Sequence, residues 1–420
     1  MIAIRKYEDR FYLLFIALVF SLPLSIFFTN IIGALLFLNG IFANSKTWQK
    51  SYIKHPLVIA YLGFFAWNIV SVFFSADLPS AWDALGKKAA FIALPIPLAL
   101  GLPLLSSQRQ KNIYKSFLLA LTIAALYSVL SGIYQYLTTG DWHTYYPSGA
   151  IKTHHLFYEG LALPLMHPAY FSIYTGIAIL LLTFKNPFLS ATWINISWVA
   201  FLATFLFMLQ SRMTIIAFAL IMLFYLIYRI LSTSKKTLLG VALGSIILAS
   251  IIIVSFLPHD LKERLFVSPS LEYDISAPSM HHFTGITVRL AEWHCAFDVI
   301  TENFWIGTGI GDERAALLNS YKENGFVLGI EQGFNCHNQY LQTLLALGIP
   351  GLLFILAMGF IFIKTAIKNK DILLLTAASY FFLSITTESM LERHWAISLF
   401  CSFLLFLGLV SSKKPETSSI

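Results

Sequence analysis

The sequence carries little charge for its length. Only 12% of its 420 residues are Asp, Glu, Lys or Arg, whereas a soluble globular domain is about 25% charged. This shortage excludes a soluble enzyme and a disordered scaffold, because neither can keep so apolar a chain in water. Hydrophobic residues make up 57% of the chain and include 37 Phe. Such a chain needs lipid as its solvent, so we expect a polytopic membrane protein.

Cysteine is scarce as well. The chain has three, with no C-x-x-C pair and no Cys/His spacing typical of a zinc site. This count excludes a disulfide-stapled secreted module, and we expect neither a metal nor another cofactor. Cys295 and Cys336 fall in one predicted loop, so a disulfide between them stays open if that loop lies in an oxidising compartment. The net charge of +7 includes no run of five like charges, so nucleic acid is not an expected partner.

Long apolar stretches recur along the chain. A helix rises about 1.5 Å per residue and needs about 20 residues to cross roughly 30 Å of hydrocarbon. A membrane barrel needs alternating segments of about ten residues instead, so we predict an all-α fold of about twelve transmembrane helices. The fourth is predicted to be kinked or broken by Pro95, Pro97 and Pro103. The predicted spans are 11–28, 30–44, 56–75, 89–105, 114–137, 168–184, 190–209, 213–231, 238–257, 340–363, 371–387 and 394–411.

The Lys and Arg residues predict the orientation, since cytoplasmic loops collect them. With the N-terminus inside, most of the 28 Lys and Arg residues fall on short cytoplasmic segments. Both termini are then cytoplasmic. The predicted division of the chain is 1–257 with the first nine helices, 258–339 as a large outer loop, and 340–420 with the last three helices and a cytoplasmic tail.

Two outer loops are long enough to carry function. The longer, 258–339, is too polar to span and too long to be a plain connection. In the predicted topology both loops place titratable side chains on the same side of the membrane. Such a concentration indicates where chemistry takes place, although exposed loops also collect polar residues. The shorter loop, 138–167, contains four of the histidines: His143, His154, His155 and His167.

Within the longer loop, residues 287–300 have the pattern of an amphipathic helix. We assign Arg289, Glu292 and Asp298 to its polar side. Its apolar face comprises Val288, Ala291, Trp293, Cys295, Ala296, Val299 and Ile300.

Alternate glycines follow this helix at Gly307, Gly309 and Gly311. Glycine permits positive φ and close backbone approach. No strand precedes the segment, so it is not a dinucleotide fingerprint. We interpret it as a tight turn that seats the helix on the membrane domain.

Two side chains at predicted span ends are candidates for chemistry. His337, followed by Asn338 at the start of the tenth span, has an ordinary pKa near working pH and suits a general base; it could also be an interfacial histidine. Arg212 separates two long apolar spans. Its planar fork suits phosphate oxygens, unless it only snorkels to the interface.

Three further outer residues have a plainer interpretation. We expect Lys87 and Lys88 to anchor the fourth span to lipid headgroups. His167 opens the sixth span, where Pro168 in a first helical turn is ordinary.

The order of these motifs resembles the bacterial O-antigen ligase family, whose domain is shared with O-antigen polymerases. The resemblance rests on Ser211-Arg212 at an outer turn, Arg289 before the Gly-rich segment, and His337-Asn338 at the tenth span, all within about 200–352. It implies a GT-C-like glycosyltransferase in the bacterial inner membrane. Such an enzyme moves a glycan from an undecaprenyl-diphosphate carrier to lipid A–core oligosaccharide on the periplasmic face, without an essential metal. It also implies that Arg212 and Arg289 bind the diphosphate, and that His337 is the base or orients the acceptor.

The chemistry agrees with these roles. Breaking a sugar–diphosphate bond requires positive charge beside the leaving phosphate, and two guanidiniums supply it. An acceptor hydroxyl needs a neutral imidazole to take its proton.

Three alternatives to the ligase stay open. They are an O-antigen polymerase with a second lipid-linked glycan as acceptor, a ligase that acts on a protein hydroxyl, and a transporter or flippase of lipid-linked glycans. Transporters place charged sites near the bilayer midplane, whereas the candidates here gather at the outer boundary. We therefore favour an enzyme.

Overall fold

The computed structural model describes residues 2–49, 51–145, 151–163, 165–188, 191–232, 273–277 and 283–413. These residues are mostly helical, with one two-stranded antiparallel sheet among them, so the fold is that of an all-α membrane protein. The strands are β1 (His143–Tyr145) and β2 (Ile151–His154). The helices are α1 (Ile2–Ser21), α2 (Ile26–Ile41), α3 (Ser45–Gln49), α4 (Pro56–Val72), α5 (Leu78–Lys87), α6 (Ala90–Ala93), α7 (Pro95–Gly101), α8 (Ser107–Thr139), α9 (Tyr158–Ala162), α10 (Pro168–Phe184), α11 (Thr192–Met208), α12 (Arg212–Ser232), α13 (Gly285–Glu302), α14 (Glu313–Glu323), α15 (Val327–Gln332), α16 (Gln339–Lys368), α17 (Ile372–Ser384), α18 (His394–Leu399) and α19 (Leu405–Ser411).

Helices occupy every predicted span except 238–257, which lies outside the described residues. Within the described part of the chain, five helical stretches are long and apolar enough to cross a membrane: 78–104, α8, α12, α16 and 394–411. Helices α2, α4, α10, α11 and α17 are apolar but shorter. The membrane character of the fold is therefore confirmed, while the count of twelve crossings stays a prediction.

The fourth span is broken, as its prolines predict. Helix α5 ends at Lys87, and two short helices follow, the second beginning at Pro95. Leu102–Leu104 then forms a single 3-10 turn that contains Pro103. Proline has no backbone N–H to donate, so it begins helices and disrupts their interiors.

Aromatic rings fill the centre of the helix bundle. Phe400 begins a π-helical turn that runs to Leu404 and joins α18 to α19. Its ring stacks on those of Tyr61, at 4.8 Å, and Phe381, at 4.7 Å. The Tyr61 hydroxyl donates to the Phe400 carbonyl at 2.9 Å. The last helical stretch is thus mostly buried, whereas α12 turns most of its apolar side chains outward.

Contacts between distant segments define two ends of the bundle. At one end, Arg109 pairs with Glu8. At the other, the Asp312 carboxylate accepts hydrogen bonds from the backbone N–H groups of residues 76 and 77, at 2.6 and 2.9 Å. We call these the Arg109 end and the Asp312 end. Each brings together segments predicted to lie on the same side of the membrane; the side that each end faces stays a prediction.

Helix α16 bends sharply near its start. Gly348 has φ 62° and ψ −163°, outside the helical region, and Pro350 has no N–H for the helix. Other segments donate to the carbonyls exposed at the bend, and two of the donors belong to the Gly-rich turn. That turn is therefore seated on the membrane domain, as the sequence predicts. The bonds run from Thr308 N to Leu345 O (2.9 Å), from Gly309 N to Ala346 O (3.0 Å) and from Trp67 Nε1 to Leu347 O (2.9 Å).

The hairpin of β1 and β2 is an element that the sequence did not predict. His143 pairs with His154 across it. The Trp142 ring stacks between those of Tyr136, at 3.8 Å, and His154, at 5.8 Å. Strands of three and four residues are too short to give an alternating pattern, so the hairpin had no signal in the hydropathy.

Candidate active site

The site is built on helix α13. Its N-terminus is closed by a reciprocal cap, in which Thr284 Oγ1 accepts from the Thr287 N–H at 3.2 Å and Thr287 Oγ1 accepts from the Thr284 N–H at 2.7 Å. The helix extends two residues beyond the predicted 287–300 at each end. Its buried face packs against the start of α16, where Trp293 Nε1 donates to the Cys336 carbonyl at 2.9 Å.

Glu292 lies on the buried face of α13, so its assignment to the polar side was wrong. Its side chain is 0% exposed. The spacing explains this, because Val288 lies four residues before it, and Cys295 and Ala296 lie three and four after it. A carboxyl within an apolar stripe was the signal available in the sequence. Such a group needs a partner when buried.

The partner of Glu292 is His337. The Nδ1 atom of the imidazole lies 2.9 Å from each carboxylate oxygen. His337 has φ 39°, a conformation uncommon outside glycine, and its backbone N–H donates to Asn335 Oδ1 at 2.9 Å. Asn338 then caps α16, accepting from the N–H groups of residues 340 and 341. These contacts hold the imidazole against α13.

The two groups shift each other's titration. Burial raises the pKa of Glu292, although the hydrogen bond and charge of His337 counteract it. Burial by itself lowers the pKa of His337, but the hydrogen bond and charge of Glu292, together with the charge of Glu388, outweigh burial, so the pKa is raised. Because the carboxylate faces Nδ1, a neutral ring carries its proton there and turns the Nε2 lone pair away from Glu292.

Arg289 lies one helical turn before Glu292 and is half-buried. Its Nε donates to the Thr387 carbonyl at 3.2 Å and its Nη1 to the Gly285 carbonyl at 2.6 Å. These bonds fix the plane of the guanidinium, whose fork has further N–H groups for a ligand. Its charge acts on both Glu292 and His337. The structure therefore brings two of the three predicted site residues together.

Arg212 is the first residue of α12 and is exposed. Six residues later, the Phe218 ring lies 5.5 Å from that of Tyr380 in α17. The Tyr380 hydroxyl donates to the Ser172 carbonyl of α10 at 3.1 Å. These contacts lie near the starts of α10 and α12 and near the end of α17. The first residues of α10 and α12 and the last residues of α17 therefore lie at the same end of the bundle, the Asp312 end. Arg212 thus shares the end of Arg289 and His337, placed there by helix register.

His167, which had no assigned role, lies beside this group. It caps α10, accepting from the Ala169 N–H on Nδ1 at 3.3 Å. Burial lowers its pKa; the charge of Glu388 acts in the opposite direction, and that of His337 in the same one. His167 is therefore within electrostatic reach of His337. The sequence did not indicate this, because the two lie on segments 170 residues apart.

Lys87 and Lys88 differ from each other. Lys87 is exposed and pairs with Asp83 at 2.5 Å. Lys88 is 4% exposed, and its Nζ lies 2.6 Å from a carboxylate oxygen of Glu392. The other oxygen accepts from Gln339 Nε2 at 3.0 Å. Headgroup anchoring was therefore the wrong interpretation for Lys88, which lies inside the protein next to the start of α16.

Cys295 and Cys336 are both buried free thiols, so the disulfide left open by the sequence is not formed. Among the described residues, no group of three or more His, Cys, Asp or Glu side chains has the arrangement of a metal site.

Residues 198–356 match the protein-family model described as O-antigen ligase. The matched range contains Arg212, Arg289, Glu292 and His337, as well as the Gly-rich turn and the bend in α16. No curated protein matches the chain.

Proposed function

We propose, from the match of residues 198–356 to the family model described as O-antigen ligase, that the protein is a membrane glycosyltransferase of the ligase type. It moves a glycan from an undecaprenyl-diphosphate carrier to the lipid A–core oligosaccharide. The observation that carries the proposal is the pairing of His337 Nδ1 with the fully buried Glu292, 2.9 Å away. A carboxylate that orients an imidazole is the arrangement a general base requires.

In this mechanism, His337 Nε2 takes the proton of the acceptor hydroxyl as the oxygen attacks the anomeric carbon. The bond from that carbon to the diphosphate oxygen breaks, and its electron pair leaves with the diphosphate. Glu292 holds the ring in the tautomer with the proton on Nδ1 and stabilises the imidazolium that forms. Attack from the side opposite the diphosphate inverts the anomeric configuration, which NMR of the product linkage would detect.

Arg289 and Arg212 bind the diphosphate. A guanidinium fork matches two phosphate oxygens and keeps its charge at every working pH. Negative charge grows on the leaving diphosphate in the transition state, where fixed positive groups lower the barrier. The two arginines supply the charge that a divalent ion supplies elsewhere, so we propose that transfer needs no metal.

The proposed function implies an orientation in the membrane. The Asp312 end, which carries the site, faces the periplasm, and the Arg109 end, with both termini, faces the cytoplasm. The protein spans the bacterial inner membrane about twelve times in a GT-C-like arrangement. Residues 1–257 and 340–420 form the membrane domain, and residues 258–339 form the periplasmic loop that supplies Arg289, Glu292 and His337.

The site assignment is tested with Arg212→Ala, Arg289→Ala and His337→Ala. Each is expected to insert and fold like the wild type but to lose at least about 100-fold in transfer, because general-base and charge-stabilising groups each contribute that much. Arg289→Lys should also be impaired, since an ammonium lacks the bidentate fork. Lys322→Ala, at an exposed position of α14 in the same loop, removes a cation elsewhere and is expected to keep full transfer. Wild-type transfer by all three alanine variants would reject the assignment.

The acceptor is tested with purified protein and lipid-linked repeat units. A ligase gives core-linked product when lipid A–core is present and no chain growth when it is omitted. Chain growth without the core would mean that the protein is a polymerase.

A further inference from the structure

A groove lies near the Asp312 end of the bundle. It has a volume of about 280 Å³ and lies between α2, the break after α5, and α18. Much of its lining consists of small side chains, including Gly33, Gly86 and Ala90. A Cβ added at Gly86 would meet no atom within 4 Å. We call this cavity the Gly86 groove.

Polar and basic groups stand around the Gly86 groove. Lys87, His394 and Asn30 all line it. The Lys87 side chain is 46% exposed, and its partner Asp83 is 67% exposed. An ion pair this exposed contributes little, typically 0–1 kcal/mol, so a phosphate can replace the carboxylate at little cost.

The Gly86 groove is linked to the candidate active site through the buried Lys88–Glu392 pair. Lys87 lines the groove, while its neighbour Lys88 turns inward to Glu392. Glu392, the partner of Lys88, ends a 3-10 turn, and His394, two residues later, begins α18 and lines the groove. Gln339, which bonds to Glu392 at 3.0 Å, begins α16 two residues after His337. The groove and the imidazole are therefore connected by consecutive contacts within one end of the bundle.

We propose that the Gly86 groove binds the phosphorylated lipid part of the acceptor, with Lys87 and His394 on a phosphate and the small side chains along the first methylene groups. This rests on the proposed function, because a transferase between two lipid-anchored substrates must hold both at once. The donor diphosphate is assigned to Arg289 and Arg212. The groove offers the second lipid its own cation, Lys87, and a lining rich in small side chains.

The proposal is tested with Lys87→Ala and His394→Ala, using lipid A–core as acceptor and a lipid-linked glycan as donor. The KM for the acceptor is expected to rise about tenfold in each, as for the loss of one charge-assisted hydrogen bond. The donor KM and the rate at saturating acceptor should stay unchanged. Asp83→Asn is the matched control: it removes the competing anion but keeps Lys87, so the acceptor KM should stay the same or fall.

A second pair of variants tests the cavity itself. Gly86→Leu fills the groove and should raise the acceptor KM, whereas Gly86→Ala adds only a Cβ into open space and should not. An unchanged acceptor KM in Lys87→Ala, His394→Ala and Gly86→Leu would overturn the proposal. A rise in the donor KM alone would also overturn it, because the groove would then bind the carrier. So would an effect that appears only when the phosphatidylglycerol content of the vesicles is varied, because the groove would then bind bulk lipid.

Transfer assays distinguish failure of the proposed function from failure of the groove proposal. Loss of the proposed function would appear as an absence of transfer by the wild type, or as full transfer by His337→Ala. Failure of the groove proposal would leave wild-type transfer intact, with acceptor KM values that do not depend on Lys87 or Gly86.

Discussion

At the scale of single residues, the site depends on a carboxyl group in an apolar place. Leaving Glu292 without a partner there would cost several kcal/mol. Its two oxygens both lie 2.9 Å from His337 Nδ1, and Arg289 stands one turn away. In the proposed mechanism Glu292 is a positioning residue, because it contacts the proposed base, His337, and is not itself expected to contact substrate.

Glu292→Gln should shift the pH dependence of transfer. The carboxylate favours the imidazolium and so raises the pKa of His337. An amide has no charge, so the pKa of His337 falls and the neutral ring becomes available at lower pH. The acid limb of kcat/KM should therefore move to lower pH, although Arg289 and Glu388 still act on the ring. The loss of rate should stay below the roughly 10²–10⁴-fold that removal of a general base costs, because the imidazole remains.

The control for this measurement is Asp298→Asn. This carboxylate lies on the exposed side of the same helix, where it accepts from Asn324 Nδ2 at 2.9 Å. Its loss should leave the acid limb in place. If Glu292→Gln also left the limb in place, His337 would not be the group that titrates during transfer.

The sequence predicted the residues that are unusual for their surroundings. Arg289 and His337 stood out by type and position, and the structure brings them together. Glu292 was missed because a charged residue was assigned to the polar side, although its spacing placed it among apolar positions. His167 was missed because its proximity to His337 depends on the packing of α10, which local patterns do not contain.

At the scale of elements, the Gly-rich turn connects the site to the membrane domain. It bonds to carbonyls at the bend of α16 and, through Gly311 N, to Ser75 Oγ at 3.1 Å. Gly309 has φ 90°, and a Cβ there would lie 2.5 Å from Ser75 Oγ and 3.1 Å from its backbone. Glycine is required at this position for both its conformation and its size.

Gly309→Ala is expected to destabilise the protein by about 2–5 kcal/mol, combining the strain of positive φ with overpacking. Gly140→Ala is the matched control, since Gly140 has φ 70° but an added Cβ there meets nothing within 4 Å. It should cost only the strain, about 1–2 kcal/mol. Thermal unfolding of detergent-purified variants should rank them in this order. Equal losses would mean that the close approach to Ser75 adds nothing.

Long elements were predictable, and short ones were not. Each long apolar stretch among the described residues became a helix because backbone groups in lipid must be satisfied internally. The break at Pro95 followed from the missing N–H. The hairpin β1–β2 and the π-helical turn at 400–404 carry no periodic signal of their own. They arise from tertiary packing, such as the stacking of Phe400 on Tyr61.

At the scale of the whole molecule, the site lies where apolar helices and the segment that carries α13 and the Gly-rich turn meet. Helices α4 and α16 pack against each other, and the Gly-rich turn bonds at their contact. The broken fourth span delivers Lys88 to the segment before α18, where it meets Glu392. The candidate site is therefore stabilised from three parts of the chain that lie far apart in sequence.

Lys88→Met should destabilise this arrangement strongly. Lys88 is 4% exposed, and removing one member of a buried ion pair leaves an uncompensated charge, at a cost of about 3–5 kcal/mol. The double variant Lys88→Met/Glu392→Met removes both charges and should lose much less, since apolar replacement of a whole buried pair is often nearly neutral. Gln339, which donates to Glu392, still has Thr343 Oγ1 at 3.1 Å. Thermal unfolding and limited proteolysis of the two variants provide the comparison. If Lys88 only contacted lipid headgroups, its removal would leave no uncompensated charge inside the protein. Lys88→Met would then lower the stability only slightly, and the double variant would be no more stable than the single one.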